Sequence, residues 1–313
     1  MFVKSGVIVF GYHNIGVTGI KTILKHGIKV HAVFTHRDEA NENIWFNSVS
    51  EFCRENNINY YYADECNNDK MIKIISKYDV SVIFSFYYRN MIPWSILNIP
   101  KYGAVNLHGS MLPKYRGRAP VNWQLINGET QGGVTLHYMT AKPDAGDIID
   151  QEPVSITKQD DPLSLYSKLD EAAKLLLERS VDKIVIGKCD RKPQNHLIAT
   201  YYGGRKPEDG LIDWSWSAEK ICNLIRGVTK PYPGAFTYYL GKKLIIWKSS
   251  VVTNVQITLG EDFGTFCNHD EMLYVRTGDG LVRFDEFNFE NIEYNLLNKL
   301  NKIFSEGIFN SME

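Results

Sequence analysis

Three polar residues in apolar surroundings are where this sequence could do chemistry. Asn106 and His108 stand two positions apart at the end of the apolar run GAVNLHGS, and Asp144 sits in the loop PDAGDI. Residues i and i+2 of a strand share a face, so the Asn106 carboxamide and the His108 imidazole leave the sheet side by side. Two readings of the pair stand: a satisfied core histidine beside an asparagine that pins the next loop, or a pair that meets a substrate. Asp144 follows the strand 132–139 on a Gly-containing loop that can swing its carboxylate back over the sheet edge. Its other reading is an Asx-turn residue capping that loop. Amide, imidazole and carboxylate together supply an oxyanion donor, an acid/base, and a group that orients or charges the base. No serine or cysteine is needed if the substrate brings its own nucleophile, such as an amine.

The segments around these residues alternate in type. Strand patterns are GVIVFG (followed by a turn through YHNIG), KVHAVFTH, YYYAD, VSVIFSFYYR and GAVNLHGS. Between them, VTGIKTILKHG, SVSEFCRENNI and KMIKIISKYD carry helical spacing. This alternation predicts right-handed βαβ units and an open, mainly parallel sheet, with ligands beyond the carboxyl ends of the strands. A short helix is expected at 121–126, two antiparallel strands at 132–139 and 148–156, and an amphipathic helix at 163–184. The polar, turn-rich stretch 188–210 marks a boundary. Beyond it come a helix (218–228), short strands in AFTYYL, KKLIIWKSSVV, MLYVRTGDG and LVRFDEFNF, and a closing helix at 292–304. The expected fold is α/β: a Rossmann-like domain over 1–200, then a small OB-like β-barrel domain over 201–313.

Composition bounds the function. The chain has 313 residues, 44% hydrophobic and 23% charged, with a formal net charge of −1. Near-neutrality argues against a protein that coats nucleic acid or anionic membrane. Five cysteines, none in a short C-x-x-C spacing, indicate neither a disulfide framework nor a zinc site, and no metal is expected. No apolar stretch approaches the ~20 residues of a membrane span. A cytoplasmic protein without a membrane partner is therefore expected. Gly11, Gly16 and Gly19 form neither a P-loop nor a dinucleotide fingerprint. In the same turn His13 could approach a ligand but reads first as a surface histidine, and Phe86, Tyr87 and Tyr88 read as strand core. Lys114, Arg116 and Arg118 decorate a loop shaped by Gly117 and Pro120; it either guides an anionic or folate-like ligand or is a solvated turn.

The block NLHGSMLPKYRGRAPVNWQLINGETQGGVTLHYMTAKPDAGDIIDQ (106–151) resembles the N10-formyltetrahydrofolate-dependent formyltransferases. Their N-x-H strand, S-x-L-P-x-x-R-G loop and D-x-G loop occur here in order. FGYHNIG, VFTHRDE, VIFSFYYRNMI and IRGVTKPYPGAF extend the likeness to the branch acting on UDP-4-amino-4-deoxy-L-arabinose and related UDP-, dTDP- or GDP-linked amino sugars. The resemblance implies Asn106, His108 and Asp144 as catalytic groups and N10-formyltetrahydrofolate as co-substrate. It also implies a nucleotide sugar as acceptor, in lipopolysaccharide or other surface glycan synthesis, and a homodimer is compatible with it. By family position Arg89, Asn90, Met91 and Tyr138 line the folate side with Asp144. Ser110, Lys114, Tyr115 and Arg116 fall on the acceptor side. The bifunctional enzyme of that branch carries a second, NAD-dependent decarboxylating domain, so a shared function would leave that oxidation to another protein. The rival within the family is methionyl-tRNA formylation. THRDEANENIW and VRFDEFNFEN, where tRNA-binding members are basic, are both net acidic, and tRNA binding needs several phosphate contacts.

Overall fold

The computed structural model describes residues 6–38, 43–253, 257–290 and 306–309. In chain order the first elements are β1 (Gly6–Gly11), α1 (His13–Lys25), β2 (Val30–Thr35), α2 (Val49–Glu55), β3 (Tyr60–Tyr62), α3 (Asn68–Ile75), β4 (Val80–Phe86), α4 (Trp94–Leu97) and β5 (Ala104–His108). They continue with β6 (Arg116–Gly117), α5 (Pro120–Ile126), β7 (Gln131–Tyr138), β8 (Ile148–Ser155), α6 (Pro162–Ile184), β9 (Tyr201–Tyr202) and α7 (Ala218–Val228). The last are β10 (Ala235–Tyr239), β11 (Lys242–Val252), β12 (Thr265–His269), β13 (Met272–Arg276), β14 (Leu281–Phe289) and β15 (Glu306–Ile308).

Seven strands form one sheet in the order β3-β2-β1-β4-β5-β7-β8. The first five are parallel, while β7 and β8 are antiparallel additions at one side. Every residue of β1 and β4 is buried, as expected of central parallel strands covered on both faces. A core of Ile8, Phe10, Phe34, Ile74, Ile75, Ile83 and Ile96 packs on this sheet. Here α1 begins at His13 rather than at Val17. Tyr12 is already extended at the cap, and Gly16 lets the first helical turn lie on the strand end, where a Cβ would meet the Gly11 carbonyl carbon at 3.2 Å.

The described chain divides into two compact units. One draws on Met1–Pro120, Gln131–Ser155 and Tyr166–Gly203; the other on Val121–Thr130, Ile156–Leu165 and Gly204–Glu313. The second holds a curled, antiparallel six-stranded sheet, ordered β10-β11-β14-β13-β12-β15, a small barrel-like domain. Two register shifts near Lys248 bend the long strand β11 against β14, which is how an extra residue curls a sheet. Ser217 caps α7 by accepting from the Lys220 N–H at 3.2 Å, and Ile221, Leu224, Ile225 and Val228 face the core around Leu244, Phe266 and Phe284. The strands β12 and β15, and the short parallel pair β6 and β9, were not legible in the sequence. The expected helix at 292–304 lies outside the described residues.

Candidate active site

The end of β5 lies between β4 and β7, at the point where the sheet changes from parallel to antiparallel. Ser85 pairs with Asn106 on one side, and Asn106 with His137 on the other. Directly opposed residues share a face, so the partner of Asn106 is a second histidine. The Asn106 Nδ2 group lies 3.2 Å from His137 Nε2 and 3.4 Å from Asp144 Oδ1. The contact with Asp144 is long for an N–H donor, so the carboxylate holds the carboxamide weakly. The His137 Nδ1–H donates to the Tyr138 carbonyl at 2.9 Å, which leaves Nε2 aimed into the cluster. His137 Nε2 is 3.4 Å from Asp144 Oδ1.

His108 is buried, and its Nε2–H donates to the Tyr115 carbonyl at 2.7 Å. That bond turns Nδ1 towards Asp144, 3.6 Å from Oδ1. A protonated ring would therefore sit between two oxygen acceptors. The other carboxylate oxygen of Asp144 accepts from the Gly117 N–H at 2.8 Å. Burial pushes the Asp144 carboxyl up, but the charges of His108 and His137 and the Gly117 N–H outweigh it and hold the group well below the usual carboxylate range. Asp144 itself has φ +50, left-handed backbone that a non-glycine residue rarely adopts.

Backbone groups of the loop after β5 do the holding. Tyr115 supplies the carbonyl for His108 from a left-handed conformation, φ +59, and its ring stacks on Tyr202 at 4.9 Å. Gly117, at φ +98, supplies the N–H for Asp144; a Cβ there would meet the Tyr202 carbonyl oxygen at 2.3 Å. The short pairing of β6 with β9 fixes Gly117, and the Tyr115 N–H donates to the Thr200 hydroxyl at 2.8 Å. Ser110 is fully buried and donates to the Lys114 carbonyl at 2.7 Å. Arg116 is fully buried as well, its guanidinium donating to Gln194 Oε1 at 2.6 Å and to the Tyr201 hydroxyl at 2.5 Å. Of the four acceptor-side candidates only Lys114 presents its side chain to solvent.

The structure thus brings Asn106, His108 and Asp144 into one cluster. Of the folate-side candidates, Tyr138 ends β7 and is buried, with the Arg191 guanidinium 3.7 Å from its ring centre. Arg89, Asn90 and Met91 follow β4, the neighbour of β5, and are exposed. The Arg89 N–H donates to His36 Nε2 at 3.0 Å, and its guanidinium lies over the Tyr12 ring. A cavity of about 420 Å³ borders the Asp144 loop, lined by Thr140, Ala141, Lys142, Ala145, His196 and Tyr201.

Two histidines depart from the sequence reading. His13 is not on the surface: it is 7% exposed and enclosed by Trp45, Phe46, Tyr87 and Tyr166, with ring centres 4.2–6.1 Å away. Among the described residues neither of its ring nitrogens has a hydrogen-bond partner. Burial, with the Arg89 charge behind it, pushes its imidazole down to about 3. The apolar rings that bury it come from distant segments, which is why its neighbours in sequence gave no sign. His137 was missed altogether. The available signal was a histidine within the strand run VTLHYM, and only the β5–β7 register shows that it opposes Asn106.

Comparison with known proteins places these features in a family. A model described as formyl transferase matches residues 3–181, and one described as formyl transferase, C-terminal domain, matches residues 205–294. The bifunctional polymyxin resistance protein ArnA of Wigglesworthia glossinidia brevipalpis is 48% identical over 246 residues, which is 78% of this chain and 38% of that protein. The chain thus spans well under half the length of this relative. The crystal structure of an N-formyltransferase from Helicobacter canadensis, in complex with folinic acid and dTDP-3-aminofucose, superposes with a TM-score of 0.70 over 91% of this chain and 100% of that one, at 23% identity. WlaRD, a sugar 3N-formyl transferase crystallised in the presence of dTDP and 5-N-formyl-THF, gives a TM-score of 0.68 over 93% and 99%, at 21% identity. At such identities the two structures speak for the fold. No helix among the described residues is long and apolar enough to cross a membrane.

Proposed function

This chain belongs to the formyl transferase family, and from that premise we propose that it transfers the formyl group of N10-formyltetrahydrofolate to the primary amine of a nucleotide-linked amino sugar. The observation that carries the reading is the cluster in which the Asp144 carboxylate lies 3.4 Å from the Asn106 amide and 3.6 Å from the His108 imidazole, beside the end of β5. The neutral amine attacks the formyl carbon, a C–N bond forms, and negative charge gathers on the formyl oxygen. The Asn106 N–H donates to that oxygen and the charge of a protonated His108 stabilises it; one oxyanion donor typically contributes ~3 kcal/mol. Cleavage of the bond to N10 releases tetrahydrofolate once N10 is protonated, the proton lost by the amine being taken up by Asp144 or a water beside it and passed on to N10. The amine must be unprotonated, so the rate falls at low pH.

The acceptor class rests on the likeness to ArnA and to the two sugar formyltransferase structures. UDP-4-amino-4-deoxy-L-arabinose or a related UDP-, dTDP- or GDP-linked amino sugar fits it, for lipopolysaccharide or other surface glycan synthesis in the cytoplasm. The exposure of Lys114 supports its meeting an anionic acceptor, and that of Arg89, Asn90 and Met91 supports their meeting the folate. The net acidity of 35–45 and 282–291 supports a sugar over a tRNA. The test is release of tetrahydrofolate by purified protein given the formyl donor and, one at a time, UDP-, dTDP- and GDP-linked amino sugars and methionyl-tRNA. Release with a single sugar names the substrate. Release with methionyl-tRNA alone overturns the reading of the acidic segments.

A further inference from the structure

Gln194 lies in the polar stretch 188–200, yet it is 6% exposed and its amide uses all of its hydrogen-bonding capacity. Its Oε1 accepts twice from Arg116, from Nε at 3.1 Å and Nη2 at 2.6 Å. Its Nε2 donates twice, to the Asp144 carbonyl at 2.9 Å and to the Gly146 carbonyl at 2.6 Å. One side chain therefore ties the loop after β5 to the loop after β7. Arg116 is held on its far side by the Tyr201 hydroxyl and by His196 Nδ1 at 3.0 Å.

What lies between those two ties is the backbone of Asp144, at φ +50. A non-glycine residue keeps that conformation only where its surroundings over-determine it. Here the carboxylate is fixed from one side by the Gly117 N–H, and the main chain from the other by Gln194. We propose that the buried Gln194–Arg116 pair is a positioning device for the formyl-transfer reaction, setting the Asp144 carboxylate against His108. This rests on the role given to Asp144 above. Neither residue touches the substrate; both act through the placement of one carboxylate.

Gln194→Glu separates the two halves of the clamp. It keeps an oxygen for Arg116 but removes both N–H donors and sets carboxylate oxygen against the carbonyls of Asp144 and Gly146. The expected result is a kcat about 10- to 100-fold lower, as for other supporting residues behind a reacting group, with KM for both substrates within about threefold. In an Asp144→Asn background the same change should cost less than about threefold further, because two changes that act through one carboxylate do not multiply. Without substrate, hydrogen exchange at the Gly117 amide should rise about tenfold while the amides of β5 hold. Gln194→Met, which lacks donors and acceptors, gives the same readings if the glutamate variant does not fold. Unchanged Gly117 exchange, or an undiminished loss in the Asp144→Asn background, overturns the proposal. Should the protein transfer no formyl group to any amino sugar, the assigned reaction falls, and Gly117 exchange still decides whether Gln194 sets the carboxylate.

Discussion

Replacing Asp144 by Asn removes a charge and almost nothing else. The amide oxygen of Asn can still accept from the Gly117 N–H, which Asp144 does at 2.8 Å, so the side chain has reason to stay in place. What disappears is the negative charge 3.6 Å from His108 Nδ1 and 3.4 Å from His137 Nε2. At an effective dielectric of about 20, one charge pair at 3.6 Å is worth about 5 kcal/mol, a ceiling for the support lost by a protonated His108. Salt screens little of this, because the two side chains are 7% and 12% exposed. The charged ring is needed when the formyl oxygen becomes an oxyanion, so the loss falls on the transition state. A loss of about 3–5 kcal/mol corresponds to a fall of roughly 10²- to 10⁴-fold in kcat. The assay is single-turnover release of tetrahydrofolate at saturating donor and acceptor, from pH 6 to 9, with KM measured for both. A variant that stays within about fivefold of the parent across that range would refute the electrostatic role and leave Asp144 as a turn residue. The pair also has a stability signature with a definite sign. A carboxyl held below its usual range stabilises the fold above about 3.8, its ordinary value, and that contribution drains as pH falls through the folded value. Parent and variant should therefore differ in urea unfolding at pH 7 and converge in acid.

His13 predicts acid sensitivity of a different origin. Its folded value near 3 lies below the ordinary 6.5, so the unfolded chain binds the proton first, and stability falls as pH drops through that window by up to about 1.4 kcal/mol per unit. Urea unfolding between pH 7 and 4 should show this slope in the parent and a shallower one in His13→Asn, which removes the imidazole and tolerates the left-handed backbone; equal slopes would show that His13 takes up its proton while folded. Gly117→Ala should be costly twice, since φ +98 disfavours a side chain and its Cβ would meet the Tyr202 carbonyl oxygen at 2.3 Å. A stability loss of at least about 2 kcal/mol is expected, together with a fall in kcat because the Gly117 N–H carries Asp144. Thermal unfolding with formyl transfer in the same preparation checks both, and an unaffected rate would mean that the Asp144 carboxylate does not depend on that donor.

The parallel sheet could be read from the sequence because its strands are short apolar runs, VIVF and VSVIFSF, broken by amphipathic helices. Burial on both faces leaves that mark directly in composition. The cluster itself was half legible. Asn106 and His108 follow from the two-residue period of a strand, but joining Asp144 to them required a loop to fold back, and only the family likeness supplied that. His137 was hidden because cross-strand register is a non-local property: the residue that opposes Asn106 is chosen by the pairing of β5 and β7.

The loop after His108 was the least legible part, for a physical reason. Its conspicuous side chains, Lys114, Arg116 and Arg118, drew attention as ligand contacts. The groups that hold the site are instead main-chain ones, the Tyr115 carbonyl on His108 and the Gly117 N–H on Asp144. Every residue but proline has both groups, so hardly any residue type announces them. What the sequence does carry is the geometry that aims them: a glycine where a Cβ would come within 2.3 Å of the Tyr202 carbonyl oxygen, and an arginine whose buried guanidinium needs Gln194 from far along the chain. The buried guanidinium of Arg116 is held by Gln194, whose amide also donates to the Asp144 carbonyl, and on these contacts rests the proposal that the pair sets the Asp144 carboxylate.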